Sequence, residues 1–76
     1  MFNKPTYEVI DGYKEWYLNG VRHREDGPAV EWPGGHKIWI LNGEVLDPEE
    51  TVKNTELLKK YHELVKSMII YLVHNS

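Results

Sequence analysis

The chain has 76 residues, a net charge of −3 and no cysteine, so it can form one small core and excludes disulfides, thiolate zinc sites and cysteine nucleophiles. Acidic and basic residues are interspersed, which excludes a basic stripe that would follow a nucleic-acid backbone. A core of this size supplies only about 3–5 kcal/mol, so we expect the protein to form a homo-oligomer.

The N-terminal stretch MFNKPTYEV lacks the apolar run of a signal peptide. The longest apolar run, from Met68 to Val73, is far shorter than the roughly 20 residues that a membrane helix needs. We therefore expect a single domain over residues 1–76 that is cytoplasmic and has no membrane partner.

A repeat runs through the first half of the chain. Residues 7–20 align on residues 30–43 with an offset of 23, and seven of the fourteen positions are identical. Trp16 matches Trp39, and the identical Lys and Leu residues flank each Trp at every second position, which is the period of one strand face. We expect this shared face, with both Trp side chains, to lie in the core.

Turn signals divide this region into strands. Asn-Gly closes each copy of the repeat and Asp-Gly lies within the first, and both dipeptides suit the type I′ turn of a two-residue hairpin. Pro33-Gly34-Gly35 predicts a further reversal. These signals predict an antiparallel meander with strands near residues 6–10, 13–18, 21–24, 28–32, 36–41 and 44–46.

A helix is predicted where a third hairpin would begin. Asp47 suits the N-cap, Pro48 the first helical position, and Glu50 completes a capping box. The apolar residues Leu58, Tyr61, Leu64, Val65, Met68, Ile69 and Leu72 then recur at spacings of three and four. The prediction is an α+β fold, in which hairpin repeats over 7–46 are capped by one long helix over 47–74. Residues 67–73 are also compatible with a short final strand.

Three apolar residues near the end of the predicted helix, Ile70, Tyr71 and Val73, lie off its stripe. One sheet cannot cover all sides of a helix, so we expect these residues to form the homo-oligomer interface. The alternative is that the N-terminal segment, residues 1–7, wraps around this end of the helix.

The run His23-Arg24-Glu25-Asp26-Gly27-Pro28-Ala29 is the most distinctive motif. Together with the residues before it, it resembles the MORN-like repeat W-Y-x-N-G-x-x-H-R-E-D-G-P-A, which occurs in proteins of bacteriophages and large DNA viruses. The resemblance spans roughly residues 7–46. It implies β-hairpin repeats of viral origin that serve as scaffolds and interaction surfaces. The chain departs from the pattern in having one full copy, one truncated copy and an unrelated helical tail.

Within this motif, His23 with Glu25 or Asp26 has the composition of an acid–base pair, which leaves open a small hydrolase. The favoured interpretation is structural. It gives His23 a surface or turn role, lets Asp26 bond nearby backbone, and pairs Arg24 with Glu25 or Glu31. We therefore predict no catalytic residue.

Aromatic residues beside basic residues form the predicted ligand- or partner-binding set, because such a surface can stack a base or anchor a protein. This set consists of Tyr13, Tyr17, Arg22, Arg24, His36 and Lys37. The four histidines lack the i, i+4 spacing that places two metal ligands on one helix face, and no phosphate-binding loop is present. We predict no metal and no cofactor.

Together these features predict a non-enzymatic viral accessory protein that acts in the host cytoplasm. The expected role is a phage inhibitor of a host defence system, which either binds a host protein or sequesters a nucleotide signal. A structural or scaffold component of the virion is the second hypothesis, and the small hydrolase is the third.

Overall fold

A computed structural model of the protein describes residues 6–74, which form a sheet of short strands followed by helices. The strands are β1 (Thr6–Ile10), β2 (Tyr13–Leu18), β3 (Val21–Arg22), β4 (Val30–Glu31), β5 (Lys37–Leu41) and β6 (Glu44–Leu46). The helices are α1 (Pro48–Thr51), α2 (Thr55–Lys60) and α3 (His62–His74). The α+β class and the C-terminal helix are confirmed.

The sheet is antiparallel throughout, and its strand order follows the chain except that β4 pairs with β2 and not with β3. β1 pairs with β2, β2 pairs with both β3 and β4, and β4 leads through β5 to β6. β3 and β4 therefore share one side of β2, separated by an excursion of the chain. The predicted strands near 21–24 and 28–32 shorten to two residues each, because the motif between them leaves the ladder.

The three predicted two-residue turns have the required backbone conformation. Asp11, Asn19 and Asn42 have φ angles of 51°, 54° and 51°, and the glycine that follows each also has a positive φ. A type I′ turn needs positive φ at both central residues, which only Gly, Asn and Asp adopt at low cost. The turn residues therefore fix the register of these hairpins.

The helices pack on the face of β5 that carries Trp39. The Trp39 side chain is 1% exposed and clusters with the buried side chains of Leu64 and Met68 from α3. Its indole N–H donates to Ser67 Oγ at 2.9 Å, and the Ser67 hydroxyl donates to the Leu64 carbonyl at 2.6 Å. These bonds satisfy the polar groups of the contact, so a large ring can be buried without an orphaned donor.

The opposite face of β5 holds a second apolar cluster, formed by Ala29, Val30 and Ile40 with Ile38 packed against it. β5 therefore buries side chains on both faces, whereas β1 buries none. Trp16, expected in the core like Trp39, is only half-buried. The expectation that both repeats place their Trp in the core is wrong for the first copy, because the helices cover only the second.

The single helix expected over 47–74 is divided into three. Asp47 caps α1, but the chain leaves the helix after Val52, and the Asn54 side chain accepts from the backbone N–H groups of Glu56 and Leu57 to begin α2. Asn competes well as an N-cap, which favours a new start over a continuous helix. Tyr61, with φ −127° and ψ 63°, separates α2 from α3.

The breaks change which apolar residues face the sheet. Leu64, Val65 and Met68 are buried as predicted, but Leu58 and Ile69 are exposed. Tyr71, expected to point away from the sheet, instead packs its ring on Trp39 with 5.1 Å between centroids. Residues 67–73 are helical, so the alternative of a final strand is wrong. The N-terminal wrapping alternative concerns mainly residues 1–5, which lie outside the described range.

We predict that Met68→Asp unfolds the protein, whereas the same change at the neighbouring residue, Ile69→Asp, has little effect. Met68 is fully buried and Ile69 is 44% exposed, so only the first change places an unpaired charge in the core. The expected loss is about 3–5 kcal/mol, which is most of the stability of a domain this small. Thermal melts followed by circular dichroism measure it, and equal melting temperatures for the two variants would show that α3 does not pack as described.

Candidate functional site

The motif HREDGPA forms an excursion from the sheet, and Trp16 holds both of its ends. The Trp16 carbonyl accepts from the backbone N–H of His23 at 3.0 Å, and the Trp16 N–H donates to the Ala29 carbonyl at 2.8 Å. On the other side, Arg24 N–H donates to the Ile40 carbonyl. Residues 24–28 are thus extruded between two hydrogen bonds to a single residue of β2.

His23 lies at the base of the excursion and is only 3% exposed, so the predicted surface or turn role is wrong. Its Nδ1 accepts from the Asn42 backbone N–H at 2.7 Å, so the proton of the neutral ring is on Nε2, which lies 2.8 Å from a carboxylate oxygen of Glu25. Both ring nitrogens are engaged. The imidazole therefore has no nitrogen left to take a proton from a substrate in this geometry.

Arg24 crosses the excursion and holds it closed. Its Nε donates to Asp26 at 2.8 Å, its Nη1 donates to the Pro28 carbonyl at 3.1 Å, and its guanidinium lies 4.3 Å from the ring centroid of Trp16. The partners differ from the prediction, because Asp26 bonds this side chain and not the backbone, while Glu25 bonds His23. The predicted pairing of Arg24 with Glu31 is present at 3.7 Å.

The position of the Arg24 guanidinium also explains why a glycine occupies position 27. A Cβ at this position would lie 2.9 Å from Arg24 Cζ, a distance that real Cβ contacts do not reach. The motif is therefore one interlocked unit, in which Arg24 packs on Trp16, Gly27 leaves room for it and His23 anchors the base to the turn that follows β5. This arrangement supports the structural interpretation of the motif.

Beside the excursion lies an open cleft of about 830 Å³. The excursion forms one wall, the turn at residues 34–36 forms the second, and the last turns of α3 form the third. The cleft brings together three members of the predicted binding set with two members of the predicted interface. These residues are Arg24, His36, Lys37, Ile70 and Tyr71.

Charges in the cleft are largely balanced. Lys37 donates to Glu31 at 3.1 Å, and Arg24 is paired with Asp26, so each cation has a carboxylate partner that also lines the cleft. His36 and His74 add polar groups at the rim, and Ile70 and Tyr71 add an apolar wall. The surface is mixed, with donors, acceptors and apolar area within reach of one another, as in a protein interface.

The other three residues of the predicted binding set lie elsewhere. By the strand register, Tyr17 and Arg22 lie on the opposite face of the sheet with Glu15. Both donate to the Glu15 carboxylate, at 2.9 and 2.7 Å. The hydrogen bond with Tyr17, followed by that with Glu15, raises the pKa of Arg22. Tyr13 packs edge-on against Trp32.

Four cleft residues with polar side chains lie outside the binding set and the interface predicted from the sequence: Asp26, Glu31, Ser67 and His74. For Glu31 a signal existed, because it occupies a shared position of the repeat and its strand partner in the sheet is Lys37. No signal pointed to Ser67, since its place beside Trp39 depends on how α3 lies across the sheet.

Three further observations concern membrane helices, metal sites and similarity to known proteins, and none of them identifies a ligand for the cleft. Within residues 6–74, no helix is both long and apolar enough to cross a bilayer. Among the same residues, no group of three or more His, Asp or Glu side chains is placed to hold a metal ion. No protein-family model, no curated protein and no solved structure matches the sequence. The resemblance to MORN-like repeats therefore depends on the motif residues alone.

We predict that His23→Ala destabilises the protein by about 2–4 kcal/mol, because it leaves the Asn42 N–H unpaired and opens a cavity beneath the excursion. His62→Ala is the control, since His62 is exposed and its side chain lies 3.5 Å from the carboxylate of Glu63. Urea unfolding measures both variants. A His23→Ala protein as stable as the His62→Ala protein would contradict the anchoring role of His23.

Proposed function

We propose that the protein is a non-enzymatic binding protein that engages a protein partner through the cleft between the excursion and α3. One observation carries this proposal: Arg24, His36 and Lys37, predicted from the sequence as binding residues, converge with Ile70 and Tyr71 on one open surface. Interfaces are typically built from such aromatic and cationic residues around a partly apolar centre.

The charge balance favours a protein over a nucleotide as the occupant. Phosphate groups are held by cations whose donors are free to form charge-assisted hydrogen bonds. Here Lys37 and Arg24 are already paired, and the carboxylates of Asp26 and Glu31 would repel a phosphate. A protein surface can exchange these pairs for equivalent ones and cover the apolar wall at the same time.

The repeat motif supports a viral context. We propose that the protein is a phage accessory protein that inhibits a host defence system by occupying a host protein in the host cytoplasm. Sequestration of a nucleotide signal is the second form of this role. A structural or scaffold component of the virion is the alternative class, and mass spectrometry of purified virions distinguishes it, because an inhibitor acts outside the particle.

Catalysis by His23 with Glu25 or Asp26 is the weakest alternative. The engagement of both imidazole nitrogens and the pairing of Asp26 with Arg24 disfavour it. A small hydrolase would need one of these groups to be released toward a substrate.

We predict that Lys37→Glu abolishes capture of the partner, whereas Lys66→Glu does not. Both variants change the charge by the same amount, but Lys37 lines the cleft, whereas Lys66 is exposed on α3 away from the cleft. A reversed charge beside Glu31 should weaken binding by at least about tenfold. Immobilised wild type and both variants are incubated with host lysate, and the retained proteins are identified by mass spectrometry.

The same three proteins are also tested for nucleotide binding by thermal shift. Equal retention of the same proteins by the wild type and both variants would contradict the cleft assignment. A nucleotide that stabilises the wild type but not Lys37→Glu would replace the protein partner with a nucleotide.

We further propose that two copies associate through the exposed apolar side of α3. Ile70 and Val73 are both exposed on this helix, and exposed apolar surface of this kind is typical of interfaces. Tyr71, which the sequence assigned to this interface, contributes only at its edge because it packs on Trp39.

We predict that Ile70→Glu reduces the sedimentation coefficient of the protein without changing its circular dichroism spectrum. Because Ile70 is exposed, the introduced carboxylate stays in contact with water in a monomer, whereas the interface of a dimer would have to bury it. Leu58→Glu, at an exposed residue of α2, is the matched control. Wild type that already sediments as a monomer at micromolar concentration would contradict the proposal.

A further inference from the structure

The outer edge of β1 is unpaired among residues 6–74. β1 is the terminal strand of the sheet, and all five of its residues are exposed. The direction of the free backbone N–H and C=O groups of β1 follows from the hydrogen bonds of β2. The backbone of Trp16 bonds to His23 and Ala29, on the side away from β1. The neighbouring residues Glu15 and Tyr17 therefore direct their backbone N–H and C=O groups toward β1.

In the register of β1 and β2, Glu15 and Tyr17 lie opposite Glu8 and Thr6. These residues form the hydrogen-bonded pairs, so the alternate residues, Tyr7 and Val9, direct their N–H and C=O groups away from the sheet. The edge therefore presents two donors and two acceptors, spaced for the backbone of another strand.

The charge of Glu8 is the one protecting feature within β1. Natural edge strands are usually protected by charged side chains, Pro, a bulge or a very short length. β1 contains no Lys, Pro or bulge, and the residues whose backbone groups face outward are an aromatic and a β-branched residue, Tyr7 at 45% and Val9 at 57% exposure. Both types favour strand pairing.

Glu8, between them, determines the charge of a suitable partner. It lies directly opposite Glu15, and the Glu15 carboxylate is already bonded by Arg22 and Tyr17. No ion pair of Glu8 is present within the described part of the chain. Like charges opposite one another destabilise a strand pair, and a cation next to Glu8 would relieve this repulsion.

A second copy of the chain does not supply that cation. The two-fold antiparallel pairing that uses all four free groups places Tyr7 opposite Val9 of the other copy, and it places Glu8 opposite Glu8. This register adds a third carboxylate to the two that are already adjacent. The charge pattern disfavours self-pairing and favours a different chain.

We propose that the outer edge of β1 is a docking site for an extended segment of a protein partner, which carries Lys or Arg opposite Glu8 and apolar residues on either side. The segment adds a strand to the sheet, so that backbone hydrogen bonds supply affinity and the alternate side chains supply specificity. This site lies apart from the cleft, and it stands whether or not the cleft binds a protein.

The test uses a capped synthetic pentapeptide with lysine at its centre, valine on either side and threonine at both ends. It is titrated into ¹⁵N-labelled protein, and amide chemical shifts and hydrogen exchange are recorded by NMR. We expect the Tyr7 and Val9 amides to shift and to gain protection from exchange. The Glu8 amide, already bonded to β2, should gain little protection.

One pair of variants and one charge reversal make the test specific. Val9→Pro removes an outward N–H that the pairing with β2 does not use, and Val9→Thr retains it, so only the proline variant should weaken binding, by about tenfold. Glu8→Lys should weaken binding of the lysine peptide and strengthen binding of a peptide with glutamate at its centre. One-dimensional proton spectra confirm that each variant is folded.

Several results would overturn the proposal. Peptide binding that Val9→Pro and Glu8→Lys leave unchanged would show that the edge is not the site. Binding lost in the cleft variant Lys37→Glu but kept in Val9→Pro would assign the peptide to the cleft. Self-association that Val9→Pro abolishes would show that the edge belongs to a second copy.

Discussion

The two backbone hydrogen bonds of Trp16 hold together the parts of this small protein that would otherwise separate. They link Trp16 to His23 and Ala29 within an eleven-residue segment, from Val21 to Glu31, whose two ends pair with a stretch of β2 only five residues long, so the surplus must leave the sheet. The contribution of the excursion to the cleft follows from this constraint. The extruded residues form one wall of the cleft, and Arg24 closes them over the Trp16 ring. His23 extends the same attachment to the turn that follows β5 through the Asn42 backbone.

The sequence predicted the elements whose causes are local. Positive φ at Asn19 and Asn42 follows from the dipeptides themselves, and β2 and the start of the first helix follow from alternation and capping. The helix breaks were missed because Asn54 was counted as a helical residue, whereas its side chain caps a new helix. The burial of His23 was missed because its partner, Asn42, lies nineteen residues away in sequence.

For the candidate site, the sequence predicted the kinds of residue that line the cleft better than it predicted which of them lie together. Arg24, His36 and Lys37 meet in the cleft, but Tyr17 and Arg22 lie on the other face. Alternation along β2 was sufficient to separate these two groups, since Tyr17 is out of phase with Trp16. The contribution of α3 to the cleft depends on how a helix crosses a sheet, which is set by the packing of Trp39 on Leu64 and Met68 and not by any local pattern.

The way the excursion is attached also has an evolutionary consequence. Because both of its ends bond to one residue, the register of β2 with its neighbours does not depend on how many residues lie between them. The exposed tip at Glu25 and Asp26 can therefore gain or lose residues while the sheet stays in place. An insertion or deletion at this tip therefore reshapes one wall of the cleft without changing the strand register.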